Sequence, residues 1–330
     1  MRRKHKKGSF NLALLIIWII IFAVISLKAP SFSSPTYVIN VMLRNIVEIG
    51  MIALPMTMII ITGGIDLSVG NTMVFAAMMG GMAAASMGNV GGIIVTLLCG
   101  TLCGLLNGIL IAKIKISPMV ATLATMFLFL GLTRGISKGD SAYSYSFSEA
   151  MGTMSIAGIP AQILLYVLLA IIFYIVLSKT TFGRTLYAIG LNENAARYSG
   201  IKTERNKIIL YTVIGLMCAL AAFIWLGRFT SVKYDAGTSF NLKVITICVL
   251  GGTSINGGIG DMRGTILGTL IIATLNSGLT VMNISIDIQT IVQGMVLIIA
   301  LISYAIINER NKKANLQKKA VSGNQAAASA

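Results

Sequence analysis

The sequence predicts an all-α polytopic membrane protein of about ten transmembrane helices, some of them broken or re-entrant, with both termini cytoplasmic. Three observations carry that prediction. Hydrophobic residues make up 56% of the 330 residues and charged residues only 11%, against about 45–50% and about 25% in soluble domains. At about 20 residues per crossing, the ~185 apolar residues suffice for roughly eight to ten helices and leave little for any extramembrane domain. Finally, the 26 Lys and Arg against 10 Asp and Glu, a net charge of +16, gather in a few short segments between the apolar runs. A basic surface for nucleic acid would spread differently, so the charge reads as topology rather than as a nucleic-acid partner.

The apolar runs fall at about 12–27, 46–62, 70–88, 91–112, 118–135, 162–178, 207–227, 243–259, 264–282 and 288–307. The first follows the basic stretch MRRKHKK and has the look of a secretory signal. The residues after it, SLKAPSFSSP, offer no small-x-small cleavage site, so it is expected to remain as the first helix. The regions 46–88 and 243–282 contain Gly-rich breaks, which suit broken helices buried in protein. With the N-terminus inside and sides alternating, the inner segments hold nineteen Lys and Arg and the outer ones seven, as the positive-inside rule requires. The chain then divides into a basic cytoplasmic tail at 1–11, a single permeating domain at 12–308, and a basic, disordered tail at 309–330.

Little in the sequence suggests chemistry. Cys99, Cys103, Cys218 and Cys248 lie inside apolar runs without metal or disulfide spacing and read as small buried residues. His5, the single histidine, sits in the N-terminal tail, which argues against a metal site or histidine acid/base catalysis. An intramembrane enzyme finds no Ser/His pair to support it. The outer segment at about 136–161, rich in Ser, Gly and Tyr, is either a partner surface or a packed connection.

The polar segment at about 179–207 is the most informative. Asn192 suits a helix N-cap, Glu193 the positive N-terminal end, Ala195 and Ala196 a helix interior, and Gly200 a C-terminal cap. A short helix outside the bilayer is expected there. In GGIDLSVG, Asp66 is a carboxylate between two apolar spans. It is either functional by default, or else Asp66 or Ser68 caps the next helix, while Gly63, Gly64 and Gly70 permit a tight turn. The cap is the preferred reading. Glycines four apart at 100, 104, 108 and at 260, 264, 268 place bare backbone on one helix face for close packing.

These segments carry a resemblance. GRTLYAIGLNENAARYSGI (Gly183 to Ile201) resembles the cytoplasmic coupling loop of the ribose/xylose-type permease family of ABC importers. ITGGIDLSVG (Ile61 to Gly70) and LGGTSINGGIGDMRGTILGTL (Leu250 to Leu270) resemble two further hallmarks of that family. The similarity runs from about residue 40 to 308, and ALPMTMIIITGGIDLSVG looks closest to permeases for monosaccharides and the sugar-like autoinducer-2. Asp261 and Arg263 depart from the small or uncharged residues expected in that turn.

The resemblance implies an inner-membrane permease that is not itself an enzyme. It implies cytoplasmic ATPase subunits holding ATP and Mg, a second permease subunit, an external substrate-binding protein, and no cofactor on this chain. The absence of any G-x-x-x-x-G-K-[ST] phosphate loop agrees with that division. The ATPase contact carries over to Gly183, Arg184, Gly190, Asn192, Ala195, Ala196, Arg197 and Gly200. A sugar-like ligand needs hydrogen-bonding groups and aromatic faces along its passage. Asn71, Asn107, Asn276, Gln289 and Gln293, with Phe127 and Phe129, are candidates, although each can equally bond a neighbouring helix. The alternative is an ion-coupled secondary transporter or channel without an ATPase. It would need a deep carboxylate, and its candidates, Glu48, Asp66 and Asp287, lie near the ends of expected spans.

Overall fold

The computed structural model describes residues 2–299 and 302, with 2–9 as backbone only. The tail at 309–330 and the end of the last expected span lie outside the described residues. Among the described residues the regular structure is helical apart from four two-residue strands, and seven helical stretches, Pro35–Ile61 taken as one, are long and apolar enough to cross a membrane. In chain order the helices are α1 (Arg2–Lys28), α2 (Pro35–Tyr37), α3 (Val47–Ile61), α4 (Val69–Ala112), α5 (Pro118–Ser137), α6 (Ser146–Thr153) and α7 (Ala161–Lys179). They continue with α8 (Thr181–Leu191), α9 (Glu193–Tyr198), α10 (Thr203–Phe229), α11 (Phe240–Leu250), α12 (Met262–Val281) and α13 (Ile286–Ile299).

Helix α3 is the axis of the molecule. All fifteen of its residues are buried, and α7, α8, α10, α11 and α12 pack around it. A helix apolar on every side must be enclosed, and this one is enclosed by protein rather than lipid. Thr57 ties it to its neighbours: its hydroxyl lies 2.6 Å from that of Thr265 on α12 and donates to Cys248 Sγ on α11 at 3.4 Å. At the Val47 end, Arg228 on α10 donates to Glu48 Oε1 at 2.6 Å, to Arg44 O at 3.0 Å, and to Asn45 Oδ1.

Helix α4 folds back on itself. Gly88 has φ 72° and ψ −175°, a conformation open essentially to glycine alone. A Cβ on Gly80 would meet Thr96, and one on Gly92 would meet Ala84, so the two arms run antiparallel and match the expected spans at 70–88 and 91–112. Gly100, Gly104 and Gly108 bring the second arm against α10, where Ala219, Gly215, Tyr211 and Ile208 fill the space side chains would take.

The second glycine ladder needs correcting. Helix α12 starts at Met262, so Gly260 belongs to the preceding turn, and only Gly264 and Gly268 pack on α11, against Gly251 and Ile247. The span expected at 243–259 is corrected as well. Helix α11 stops at Leu250, because Gly251 and Gly252 open a turn with Gly252 at φ 83°. Eleven residues reach only about 16 Å, roughly half a bilayer core. Asp261 caps α12 by accepting from Arg263 N at 3.4 Å and also receives Asn11 from α1 at 2.8 Å, while Arg263 reaches Tyr174 OH at 2.5 Å. The unexpected charges are thus both engaged.

The segment at 136–161 is a packed connection. Strand β1 (Ala142–Tyr143) pairs with β4 (Ser231–Val232), β2 (Ser155–Ile156) pairs with β3 (Ile159–Pro160), and α6 lies against α10 with Phe147 edge-on to Phe223 at 5.0 Å. Arg44 donates to Gly152 O at 2.5 Å and fixes its far end.

Candidate functional site

The three motif segments meet at one end of the bundle. Gly258 N donates to Ile61 O at 2.8 Å, so the turn after α11 is bonded to the last carbonyl of α3. Helix α8 lies on that junction. A Cβ on Gly190 would strike Ile61 O and stand 2.5 Å from Gly258 N, so this backbone sits where no side chain fits. Tyr187 OH donates to Gly260 O at 2.9 Å. Burial, with the nearby Asp261 carboxylate adding to it, pushes this phenol up to about 12, so it stays a donor. Leu186 and Ile189 are buried on the same face, and Gly183 packs against Leu177 O at the N-terminal end.

Helix α9 follows as a separate short element. Asn192 Oδ1 accepts from Ala195 N at 2.9 Å, Glu193 stands in the first turn, and Gly200 closes the end at φ 83°. Ala196 is buried beneath it, whereas Arg184, Ala195, Arg197 and Gly200 face outward. Glu193 bonds Lys207 on α10 at 2.6 Å, and Arg197 stands 3.8 Å from Glu193 and 3.7 Å from Glu204. These pairs orient α9 more than they stabilise it, since exposed ion pairs contribute about 0–1 kcal/mol. Two residues that sequence reasoning passed over dominate the outer surface: Tyr198, 92% exposed, and Leu191, 62% exposed. The signal was present, since an aromatic at the end of a polar, bracketed helix has no core to enter.

Above the junction, residues 62–68 run non-helically into the protein, with Gly63 and Gly64 at the turn. Asp66 is buried. Its Oδ1 accepts from Ser68 N at 2.8 Å and Ser68 Oγ at 2.6 Å, and its Oδ2 lies 3.5 Å from Asn107 Nδ2. Asn107 also donates to Ser68 Oγ at 2.8 Å and accepts from Thr125 Oγ1 at 2.7 Å, which joins both arms of α4 to α5. Gly70 N, one of the free N–H groups in the first turn of α4, is received by Asn241 Oδ1 of α11 at 2.7 Å. The expected side-chain cap from Asp66 or Ser68 is not made: Asp66 holds Ser68, the residue before the helix, and it is Asn241 of a distant helix, a partner no local pattern could name, that receives a free N–H of α4.

Because buried donors left unpaired cost about 1–3 kcal/mol each, Asp66→Leu is expected to destabilise strongly by removing the acceptor of Ser68 N and Ser68 Oγ. Asp66→Asn keeps the Oδ1 acceptor and should lose far less. Thermal unfolding of both variants in detergent checks this, and equal melting temperatures would show that the bonds from Ser68 to Asp66 contribute nothing.

The remaining candidates separate into two groups. Asn71 donates to Met126 O at 2.8 Å, Phe129 stacks on Phe75 at 6.0 Å, and Phe127 lies 61% exposed on the outside of α5. On the other side of the molecule, Gln293 donates to Asn276 Oδ1 at 2.7 Å and Gln289 to Thr280 Oγ1 at 3.2 Å, joining α12 to α13. Of the three carboxylates a coupled transporter might use, Glu48 is ion-paired with Arg228, Asp66 is held by Ser68 and Asn107, and Asp287 is exposed. Among the described residues, no three His, Cys, Asp or Glu side chains converge as a metal site would require.

Long apolar helices around a buried axis, a half-length helix, and a capped helix pair seated on two glycine turns define a polytopic membrane permease. A family model described as branched-chain amino acid transport system / permease component matches residues 37–301, and the chain belongs to that family. It is 42% identical over 303 residues to the ribose import permease protein RbsC of Bacillus subtilis, covering 90% of this chain and 92% of that protein. It is 36% identical to RbsC of Haemophilus influenzae, over 87% of this chain and 91% of the relative. It is 35% identical to the autoinducer 2 import system permease protein LsrD of Photorhabdus luminescens, over 89% of this chain and 90% of that one. No solved structure matches. The chain is the permease component of an ABC-type transporter of the bacterial inner membrane, a transport subunit rather than an enzyme.

Proposed function

We propose that this subunit passes a monosaccharide or a sugar-like molecule, autoinducer-2 among them, from an external binding protein into the cytoplasm. It works beside a second permease subunit and is driven by cytoplasmic ATPase subunits. Both termini and the α8–α9 segment lie on the cytoplasmic side, and the chain passes the membrane about ten times, the two arms of α4 counting separately.

The observation that carries this reading is the seating of α8 and α9. Helix α8 rests on the end of α3 and the turn after α11 through Gly190, Ile61 and Gly258, with Leu191 half over Gly258, and α9 is tied to α10, while Tyr198 is the most exposed large apolar side chain of the pair. A knob held rigidly below and apolar above suits insertion into a partner's cleft. Force applied to it passes directly to the two helices it touches, so nucleotide-driven closure of the ATPase biases the permease between two states.

Replacing Tyr198 by Asp removes the apolar tip without touching the seat. The variant is expected to insert normally yet to lose at least about tenfold in affinity for the ATPase subunit, in line with loss of an exposed aromatic anchor. Co-purification of ATPase with the tagged permease measures it. Full recovery of the ATPase with Tyr198→Asp would remove α9 from the interface.

A further inference from the structure

Helix α1 stands at the edge of the bundle and packs on α12. Trp18 Nε1 donates to Thr274 Oγ1 at 2.9 Å and Ile25 fills the space at Gly278, while Leu12, Ile16, Ile19, Ile20, Val24 and Leu27 are exposed. A helix so apolar on its outer side meets lipid. Its first turns carry RRKHKK, five Lys or Arg among the six residues Arg2–Lys7. Like charges at that spacing repel, and the sequence supplies no Asp or Glu before Glu48 to offset them.

The basic end of α1 is fastened beside the seat of α8. Asn11 donates to Asp261 Oδ2 at 2.8 Å, and the Phe10 ring lies against Gly252, where even a Cβ would stand 2.4 Å from it. Gly252 and Asp261 belong to the turn between α11 and α12. The same turn sends Gly258 N to Ile61 O and receives Tyr187 OH at Gly260 O, the two bonds beneath α8. One short turn therefore touches α1 on one side and the seat of α8 on the other. Asp261, a charge unexpected in that turn, is the residue that α1 holds.

We propose that Arg2–Lys7 is a docking surface for the anionic phospholipid headgroups of the leaflet it enters, and that α1 carries this contact to the turn beneath α8, so that anionic lipid sets the activity of the seat. The role of that seat in coupling rests on the importer reading above; the contact of α1 with the turn does not. Phosphate-bearing headgroups supply the negative charge that the stretch lacks, and each Lys or Arg at an anionic surface raises local affinity about fivefold. The exposed apolar side of α1 lies among the acyl chains of the same lipids, so one helix meets both headgroup and chain. Soluble phosphate or an acidic protein surface would match only the first. Bound lipid shifts the seat to the extent that it holds α1 differently in two states, and Phe10 and Asn11 are where that difference enters.

The full chain carries two tryptophans, and Trp225→Phe leaves Trp18 on α1 as the single reporter. It is placed in nanodiscs of phosphatidylcholine and phosphatidylglycerol at a fixed ratio, with brominated acyl chains on one lipid or the other. Brominated phosphatidylglycerol is expected to quench Trp18 with a preference of about fivefold or more, the effect of one engaged cation. The preference should fall toward one as KCl is raised to about 0.5 M, and vanish when Arg2, Arg3, Lys4, Lys6 and Lys7 are replaced by Gln. Because loss of these charges can alter insertion of α1, the salt titration gives the same reading with the stretch intact. In the assembled complex with ATPase subunits and binding protein, phosphatidylglycerol should raise ATPase turnover about fivefold, the lower end of ordinary coupling between sites. Asn11→Ala should keep the quenching preference and lose the stimulation. Equal quenching by the two lipids would overturn the docking, as would a preference that survives both salt and the Gln substitutions. Loss of ATPase co-purification from the Gln variant, with no lipid preference in wild type, would hand the stretch to a partner protein instead. Turnover indifferent to phosphatidylglycerol, or stimulation undiminished in Asn11→Ala, would overturn transmission through the turn. A wild-type chain that recovers no ATPase would sink the importer reading, while the quenching still decides the docking.

Discussion

Gly190→Trp is expected to abolish ATP-driven uptake while the protein still inserts and is recovered from the membrane in normal amount. The physical reason lies in what the glycine touches. Even a Cβ at this position strikes Ile61 O, so an indole must lift the C-terminal turn of α8 away from both glycine turns. The bond from Gly258 N to Ile61 O lies directly beneath and would be exposed or broken. The nearest atoms to Gly190 belong to the last residue of α3 and to the turn after α11, whereas the close packing of α4 on α10 is made by Gly100, Gly104 and Gly108, so insertion should survive. The loss therefore falls on transmission. ATPase activity of the assembled complex should no longer respond to loaded binding protein, and uptake should fall to background. Uptake near the wild-type level in a well-expressed variant would show that α8 does not transmit the motion. This variant and Tyr198→Asp differ in what they remove: one unseats the knob, the other strips its outer face.

The second large effect is on stability. Glu48→Ala is expected to cost about 3–5 kcal/mol, because it leaves the Arg228 guanidinium uncompensated in a site where both partners are nearly excluded from solvent. That is a large share of the roughly 5–15 kcal/mol that separates folded from unfolded protein in ordinary domains. Arg228 also holds Arg44 O and Asn45, so its displacement would loosen the stretch before α3. Thermal unfolding in detergent, followed by size-exclusion chromatography, measures the loss. The paired change Glu48→Leu with Arg228→Met should recover most of it, since removing both charges removes the penalty. A melting temperature for Glu48→Ala equal to wild type would show that the pair contributes nothing.

The sequence made several of these features legible because their causes are local. Asn192, Glu193 and Gly200 bracket α9 through bonds made within a few residues, and the structure places the helix at Glu193–Tyr198. Gly88 separates two apolar runs, and the hairpin turns there because the backbone needs a glycine conformation. The ladder at Gly100, Gly104 and Gly108 signals close approach by its spacing, and α10 is the helix that approaches. Where the expectation failed, the cause was also local but ambiguous. Residues 243–259 are apolar enough for a full span, and hydropathy does not register that two consecutive glycines end the helix at Leu250.

By itself the sequence determined the class of the protein, its helical membrane character, the capped short helix at Glu193–Tyr198, and the family resemblance, since each rests on composition, periodicity or contiguous motif. Tertiary structure alone decided which helix is the buried axis, that Asn241 caps α4 from 171 residues away, and that Gly190, Ile61 and Gly258 share one contact. It also decided that Asn11 of α1 meets Asp261 in the turn that seats α8. The physical reason is the same throughout. Helix formation is settled by bonds between residues a few positions apart, whereas pairing of buried polar groups and exclusion of side chains at a backbone crossing depend on chain segments that meet only after the helices have packed.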